Sequence, residues 1–279
     1  MKSTLLFLTL LMSSTQVLFS QALKTPTPSP MQTLKQGFAL TDISIEYYRP
    51  SAKGRTVFGD VVPFGKIWRT GANGATKMTF GENVKIQGKD VPAGTYAIYT
   101  IPNKDNWEVL IYKDLKLGGN VNDYKQENEL IRITVPVVNM NDYVETFTVN
   151  VANIQASSCA IEMTWEKTKI SFNVVAEIDQ AIMGSIDKAM NVDSKPYYQA
   201  ASYYYENNKD MAKALEWITK AVDQNPKAYW VALLKAKIEL KSGDKKAATT
   251  SAQKVIELAK EAKNDDYVKM AEKLISDAK

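Results

Sequence analysis

Residues 167–190 read KTKISFNVVAEIDQAIMGSIDKAM, and their hydrophobic period changes at about Ala176. Before that point, in TKISFNVV (168–175), apolar and polar residues alternate, which is typical of a half-buried β-strand. After it, apolar residues recur at the spacing of one helical stripe: Ile178, Ile182, Ile186 and Met190. The chain is therefore predicted to pass here from a β domain to an α domain.

Segments of period two occupy residues 38–175, on the N-terminal side of this switch. In the first, FALTDISIEYY (38–48), Ile43 and Ile45 alternate with polar residues. Further strand candidates follow, most of them separated by turn-type residues: ATKMTF, ENVKIQ, TYAIYTIP, WEVLIYK, LIRITVPV, YVETFTVNV and CAIEMTWE. Many short strands without helical patterns between them indicate an antiparallel sandwich or barrel, and we expect an all-β domain with an antiparallel β-sandwich fold.

Helical patterns occupy the chain on the C-terminal side of the switch. We expect a connecting helix at 176–190, a linker at 191–196 and an all-α domain of helical hairpins at 197–279. Within these hairpins Asp210 and Asp244 are 34 residues apart, which is the period of tetratricopeptide repeats.

The first hairpin resembles a tetratricopeptide repeat, because large, small and proline residues occupy its pattern positions: Tyr198, Tyr205, Ala214, Ile218, Ala221 and Pro226. The second hairpin matches loosely, with Glu239 where an aromatic residue is usual. The resemblance implies a groove for a protein partner. The alternative is a helical cap or a dimerisation element, since such stacks normally need three or more repeats.

The N-terminus has the pattern of a secretory signal peptide, predicted at residues 1–22. Lys2 precedes the apolar run LLFLTLLM (5–12), which is too short to span a bilayer. A membrane anchor is the alternative, but polar residues follow the run and a small-x-small site predicts cleavage after Ala22, or else after Ser20. No cysteine lies nearby, which disfavours a lipoprotein. A Pro/Thr-rich leader is expected at 23–37, and the mature protein is expected to be periplasmic or secreted, without a membrane span.

Composition excludes several classes of function. The 35 basic and 31 acidic residues give a net charge of +4, which offers no extended field for nucleic acid, and we expect no nucleic-acid partner. The chain has no histidine and one cysteine, Cys159, so histidine-dependent triads and histidine metal sites are excluded. Cys159 is interpreted as a core residue, because it has no imidazole to activate it. Walker, dinucleotide and EF-hand motifs are absent, and we expect no cofactor and no metal.

Four motifs occur in order along the predicted sandwich: YYRPSAKGRTVFG, VPFGKIWRTGAN, AGTYAIYTIP and WEKTKISFNV. On these motifs, residues 38–175 are identified as resembling a bacterial family, the domain of unknown function 2911 family. Gly74 stands where that family usually has an acidic or small residue. The resemblance implies the architecture and export behind a signal peptide, and it implies no activity.

A ligand site is hypothesised around the second motif. Basic residues are concentrated in 49–55 and 66–69, and if the two segments flank one rim of the sandwich, they would receive a carboxylate, sulfate or phosphate. The candidate residues for binding an anionic glycan of the cell envelope are Arg49, Arg55, Trp68, Arg69 and Asn73. Tyr47 or Tyr48 would join Trp68 in stacking on a sugar ring.

The same residues also have a purely structural interpretation, in which Trp68 fills the core and Arg69 pairs with Glu46 or Glu82. The function expected is thus that of a non-catalytic binding or scaffold protein with a helical region for protein interaction. The alternative is a glycan hydrolase that uses carboxylates, with Asp60 and Glu82 as its acid and base.

Overall fold

β-Strands occupy the chain from Met31 to Ala176 and α-helices from Asp179 to Asp277, so the predicted order of a β domain before an α domain is confirmed. The computed structural model describes residues 25–192 and 195–279. Two compact units divide the chain, and the boundary between them falls after Glu177. The expected signal peptide, residues 1–22, lies outside the described residues.

The described part of the first unit, residues 25–177, contains ten strands in chain order, all in antiparallel pairs: β1 (Met31–Phe38), β2 (Thr41–Tyr48), β3 (Thr76–Phe80), β4 (Val84–Ile86), β5 (Lys89–Val91), β6 (Gly94–Pro102), β7 (Asn106–Tyr112), β8 (Glu129–Pro136), β9 (Val138–Ala152) and β10 (Ser158–Ala176). Six of them form one sheet in the order β1-β2-β3-β6-β7-β8, and four form a second in the order β5-β4-β10-β9. The predicted sandwich is therefore present.

The core between the two sheets contains alternate residues of each strand, as a pleated sheet requires. Ile43, Ile45 and Tyr47 of β2 are buried, and so are Phe147 of β9 and Trp165 of β10. Cys159 is also buried, and burial raises the pKa of its thiol to about 11. A thiol in that environment stays protonated at neutral pH and packs as a small apolar side chain.

The outer face of the six-stranded sheet is covered in one half and exposed in the other. Over β6 and β7 lies segment 113–128, which includes two 3₁₀ turns, Val121–Asp123 and Gln126–Asn128. Over β2 and β3 the outward side chains Glu46 and Lys77 are exposed. The edge of the covering segment therefore makes a step on the surface of the sheet.

All but the last residue of strand β1 falls in the segment 23–37 that was expected to be an extended leader. Its residues Met31–Phe38 pair with Tyr48–Thr41 of β2, and the exposed and half-buried side chains alternate along it. Its sequence, MQTLKQGF, has few apolar residues because β1 is an edge strand with one face in solvent. The hydrophobic pattern is correspondingly weak there.

Among residues 178–192 and 195–279, the second unit contains six helices: α1 (Asp179–Ala189), α2 (Tyr197–Glu206), α3 (Met211–Gln224), α4 (Tyr229–Lys241), α5 (Lys245–Glu261) and α6 (Asp265–Asp277). Asp210 and Asp244 cap the N-termini of α3 and α5 with their carboxylates, so the 34-residue spacing joins equivalent positions of two hairpins. Ala214 and Ala248 are both fully buried, which lets the paired helices approach closely. In the described ranges no helix is long and apolar enough to cross a membrane.

Candidate functional site

Trp68 belongs to the aromatic core of the sandwich. Its ring stacks on Trp165 at 5.9 Å between centroids and meets Phe147 edge-on at 5.2 Å. Its indole nitrogen donates to the carbonyl oxygen of Gly71 at 3.1 Å, and 8% of the residue is exposed. The ring is thus occupied by protein on its faces and is not available for stacking on a sugar, which favours the structural interpretation of this residue.

Arg49 and Arg55 point away from the second motif. The guanidinium group of Arg49 donates to the carbonyl oxygen of Phe147 at 3.2 Å and to Oγ1 of Thr148 at 2.8 Å. That of Arg55 donates to the carbonyl oxygens of Ala52 (2.9 Å) and Ser51 (3.0 Å). The hydrogen bonds of Arg49 therefore connect the end of β2 to β9, and those of Arg55 stabilise the local turn.

The backbone of the second basic segment nevertheless lies close to Tyr48, the residue that precedes the first. A β-carbon on Gly71, whose φ is +145°, would come within 2.9 Å of the carbonyl oxygen of Tyr48, so only glycine fits there. The loop at Gly71 is therefore close to the start of the segment 49–55, but the cationic side chains of the two segments diverge. Arg69 and Asn73 are accordingly separated from Arg49 and Arg55.

The loop 69–74 has an unusual backbone. Thr70 has a φ of 58° and Asn73 a φ of 56°, and the left-handed region is uncommon for a β-branched residue such as threonine. Hydrogen bonds hold Thr70 there: its hydroxyl contacts Oγ1 of Thr100 at 3.1 Å, and its carbonyl oxygen accepts from the hydroxyl of Thr76. Strain of this kind, held by the surrounding structure, is concentrated at ligand sites.

Arg69 has no partner among the described residues. Its Nε is buried without a hydrogen bond, and the expected ion pair with Glu46 or Glu82 is not formed. Its Cδ lies 3.4 Å from the point where a β-carbon on Gly119 would stand. The side chain therefore runs along the segment 113–120, and its charge is not compensated by a carboxylate.

A cleft of about 220 Å³ adjoins this loop on the outer face of the six-stranded sheet. Its floor consists of small side chains from β6 and from the residue before β3, and its walls come from β1, β2 and the covering segment. The residues that line it include Met31, Glu46, Tyr48, Gly74, Ala75, Lys77, Ala97, Leu115 and Gly118. The cleft combines an aromatic ring and apolar surface with one anionic and one cationic side chain.

The wall opposite Tyr48 is held in place by tyrosine hydroxyl groups. Tyr99 donates to the carbonyl oxygen of Gly118 at 2.7 Å, and the hydroxyl oxygen of Tyr112 accepts from the amide of Lys125 at 3.1 Å. Burial, together with the neighbouring Tyr112 and Asp114, raises the pKa of Tyr99 to about 12. The phenol is therefore protonated at physiological pH and keeps its hydrogen bond to the carbonyl oxygen of Gly118 in the wall.

The sequence interpretation missed most of this cleft. Glu46, Lys77 and Ala97 are separated along the chain but lie side by side, because β2, β3 and β6 are adjacent in the sheet. Tyr48 was named as a secondary stacking residue, and it is the half-buried aromatic residue of the cleft. The pairing of the strands was the missing information, because it brings these residues of three separate strands together.

The carboxylates of the hydrolase alternative lie at different ends of the sheet. Glu82 accepts from the amide of Leu40 at 3.0 Å, next to the end where β3 pairs with Gly94 of β6. Asp60 lies in the turn before Gly65, whose amide donates to Pro102, the last residue of β6. The nine residues of β6 separate these ends by roughly 26 Å at about 3.3 Å per residue. Glycosidase carboxylates are about 5–10 Å apart, so the location of Asp60 and Glu82 toward opposite ends of β6 does not favour this pair.

The helical unit has a larger groove, of about 610 Å³, between α2, α4 and α6. Tyr205, Leu240 and Leu274 supply apolar surface. The charged residues that line it are three lysines and one aspartate: Lys237, Lys241, Lys273 and Asp277. The side chains that line this groove therefore carry a net positive charge.

The first unit is thus an antiparallel sandwich with a strained loop beside a cleft on its outer face. The family model of a protein of unknown function (DUF2911) matches residues 29–174, more than half of the chain. The chain belongs to this family. No curated protein and no solved structure matches it.

Proposed function

We propose that this chain is an exported, non-catalytic binding protein whose β domain holds an anionic cell-envelope ligand, namely an acidic glycan, at the loop 69–74 and the adjoining cleft. The observation that carries the proposal is Arg69, whose guanidinium group has a buried Nε without a hydrogen-bond partner among the described residues. A buried donor without a hydrogen bond costs free energy unless something else offsets it, although Arg69 as a whole is half-buried. An anionic ligand would supply the missing hydrogen bonds.

The neighbouring groups suit this ligand class. Asn73 is exposed and held in the left-handed conformation, so successive amides of the loop can form a concave anion site. Tyr48 lies against Gly74, with a ring carbon 3.5 Å from the position of a β-carbon there. This ring takes the stacking role that the sequence assigned to Trp68.

Export supports the choice of a cell-envelope ligand. Residues 1–22 have the composition and the cleavage site of a signal peptide, and the absence of a cysteine near that site argues for a mature protein that is periplasmic or secreted. An acidic envelope polymer would then be encountered directly.

The helical unit is proposed to dock a protein partner in the groove between α2, α4 and α6. Lys237, Lys241 and Lys273 at this groove outnumber its single aspartate, so an acidic segment with apolar side chains fits best. Binding of such a peptide would join the ligand-holding domain to another envelope protein.

The test is equilibrium binding of the mature protein to a polyuronate and to a sulfated polysaccharide, with neutral dextran as the control polymer. Arg69→Met is expected to weaken binding at least about tenfold, as loss of a charged hydrogen bond does. Arg55→Met is the matched control, because its guanidinium group is occupied by the carbonyl oxygens of Ala52 and Ser51. Equal affinity of wild type and Arg69→Met, or binding to dextran alone, would refute the proposal.

A further inference from the structure

Two opposite charges that line the cleft lie next to each other without forming an ion pair. Glu46 of β2 and Lys77 of β3 are direct cross-strand partners, both are exposed, and both line the cleft. Opposite charges in this arrangement usually attract each other. Yet none of the ion pairs among the described residues includes either of them.

Elsewhere in the same unit, cross-strand residues of opposite charge do form ion pairs. Lys85 of β4 and Asp90 of β5 are also direct cross-strand partners, and they form an ion pair. On the outer face of β2 itself, Asp42 pairs with Lys35 of β1 at 3.1 Å. Glu46 and Lys77 differ from both of these pairs in that they remain apart.

A purely anionic ligand does not satisfy this arrangement. It would gain from Lys77 and from the nearby Arg69 but would meet the carboxylate of Glu46 in the same cleft, and like charges at short range oppose binding. A ligand with an ammonium group beside its anionic group would compensate both side chains. Ala97 lies across from Lys77 on β6, so the cleft extends over this small side chain and leaves space beside the two charges for one such ring.

We propose that the cleft selects a zwitterionic saccharide, with an unacetylated amine against Glu46 and an acidic group against Lys77 and Arg69. This inference rests on the proposed function, because it names the ligand class of the same site. Tyr48 stacks on the sugar ring, and Leu115 contacts its apolar edge. The size of the cleft, about 220 Å³, is below the range for drug-sized ligands and suits a single sugar residue.

The experiment compares three probes on the full mature chain by calorimetry: muramic acid, which carries both charges, N-acetylmuramic acid, which is only anionic, and glucosamine, which is only cationic. Wild type is expected to bind muramic acid roughly two- to fivefold more tightly than either of the others, the size of one partly exposed ion pair. Glu46→Gln is expected to remove this preference while the affinity for N-acetylmuramic acid stays equal or rises. Asp42→Asn, on the same face of β2 and outside the cleft, keeps the preference.

Equal binding of muramic acid and N-acetylmuramic acid by wild type overturns the inference, and so does a preference that survives in Glu46→Gln. If none of the three probes binds, the inference fails as well. The polysaccharide experiment with Arg69→Met decides separately on the proposed function, which stands if acidic polymers bind through Arg69 without any preference for an amine.

Discussion

The carbonyl oxygen of Asn73 occupies the position that a β-carbon on Gly119 would need. The strained loop 69–74 and the segment 113–120 therefore meet backbone to backbone. Glycine at 119 is a steric requirement of this contact, because a backbone atom cannot move aside as the end of a flexible side chain can.

Gly119→Ala is expected to destabilise the protein by about 1–3 kcal/mol, the usual cost of overpacking, and to weaken ligand binding, because the wall of the cleft must shift. Unfolding in urea measures the first effect and titration with an acidic glycan the second. Gly37→Ala is the control, since a β-carbon there meets nothing within 4 Å. A Gly119→Ala protein as stable as the Gly37→Ala protein would show that the two loops are not in contact.

Trp68→Ala is expected to lower the free energy of unfolding by about 3–5 kcal/mol, as for other large aromatic residues in cores. The reason is the loss of its contacts with Trp165, Phe147 and two further rings. Trp230 is the comparison, because 40% of it is exposed, and Trp230→Ala is expected to cost much less. Similar losses in both variants, measured by urea denaturation, would argue against the core position of Trp68.

Arg69→Met is expected to leave stability within about 0.5 kcal/mol of wild type, or to raise it, because the variant removes a buried donor that has no acceptor. Arg49→Met is expected to cost about 1–3 kcal/mol, because its guanidinium group donates to Phe147 and Thr148. Thermal midpoints without ligand measure both. A large drop in the thermal midpoint of Arg69→Met would mean that the Arg69 side chain is required for the stability of the fold.

Alkaline pH is expected to weaken the β domain through Tyr99. Its pKa is about 12 in the folded chain and about 10 in an unfolded one. Below pH 10 both states hold the proton, whereas between pH 10 and 12 only the folded state does, so stability falls as the pH rises through this window. Urea midpoints at pH 8, 10 and 11.5 measure the slope.

Tyr99→Phe removes this titration, and also the hydrogen bond to Gly118. The variant is expected to be less stable at pH 8 but to lose less stability between pH 10 and 12. Tyr267→Phe, in α6 of the second unit, serves as the control. If the urea midpoint falls equally steeply with pH in wild type and in Tyr99→Phe, other tyrosines cause the loss of stability at alkaline pH.

The sequence predicted the fold well because hydrophobic period is a local property. The change from period two to period 3.6 near Ala176 marks the end of β10 at the same residue, and the repeat spacing of Asp210 and Asp244 corresponds to two N-caps. Strand β1 was taken for part of the leader, because an edge strand needs few apolar residues.

The site was harder to predict, because it depends on strand order and on the directions of loop side chains. No spacing along the chain indicates that Arg49 turns toward β9 while Arg69 runs toward Gly119. Trp68 lies between glycines in a polar motif, and only its bridge to Thr100 places it in the core. Glu46 and Lys77 became candidates once the register of β2 and β3 was known.

The tyrosines beneath segment 113–128 also affect how fast and how tightly the cleft can capture a ligand. Tyr99 and Tyr112 fix the segment to the sheet through its backbone, so this wall does not need to become ordered when the ligand arrives. Binding then avoids the conformational entropy that an unanchored loop would lose. Since the anchors lie under the segment, the side chains on its upper surface, such as Leu115, can change during evolution and alter ligand preference without loosening the wall.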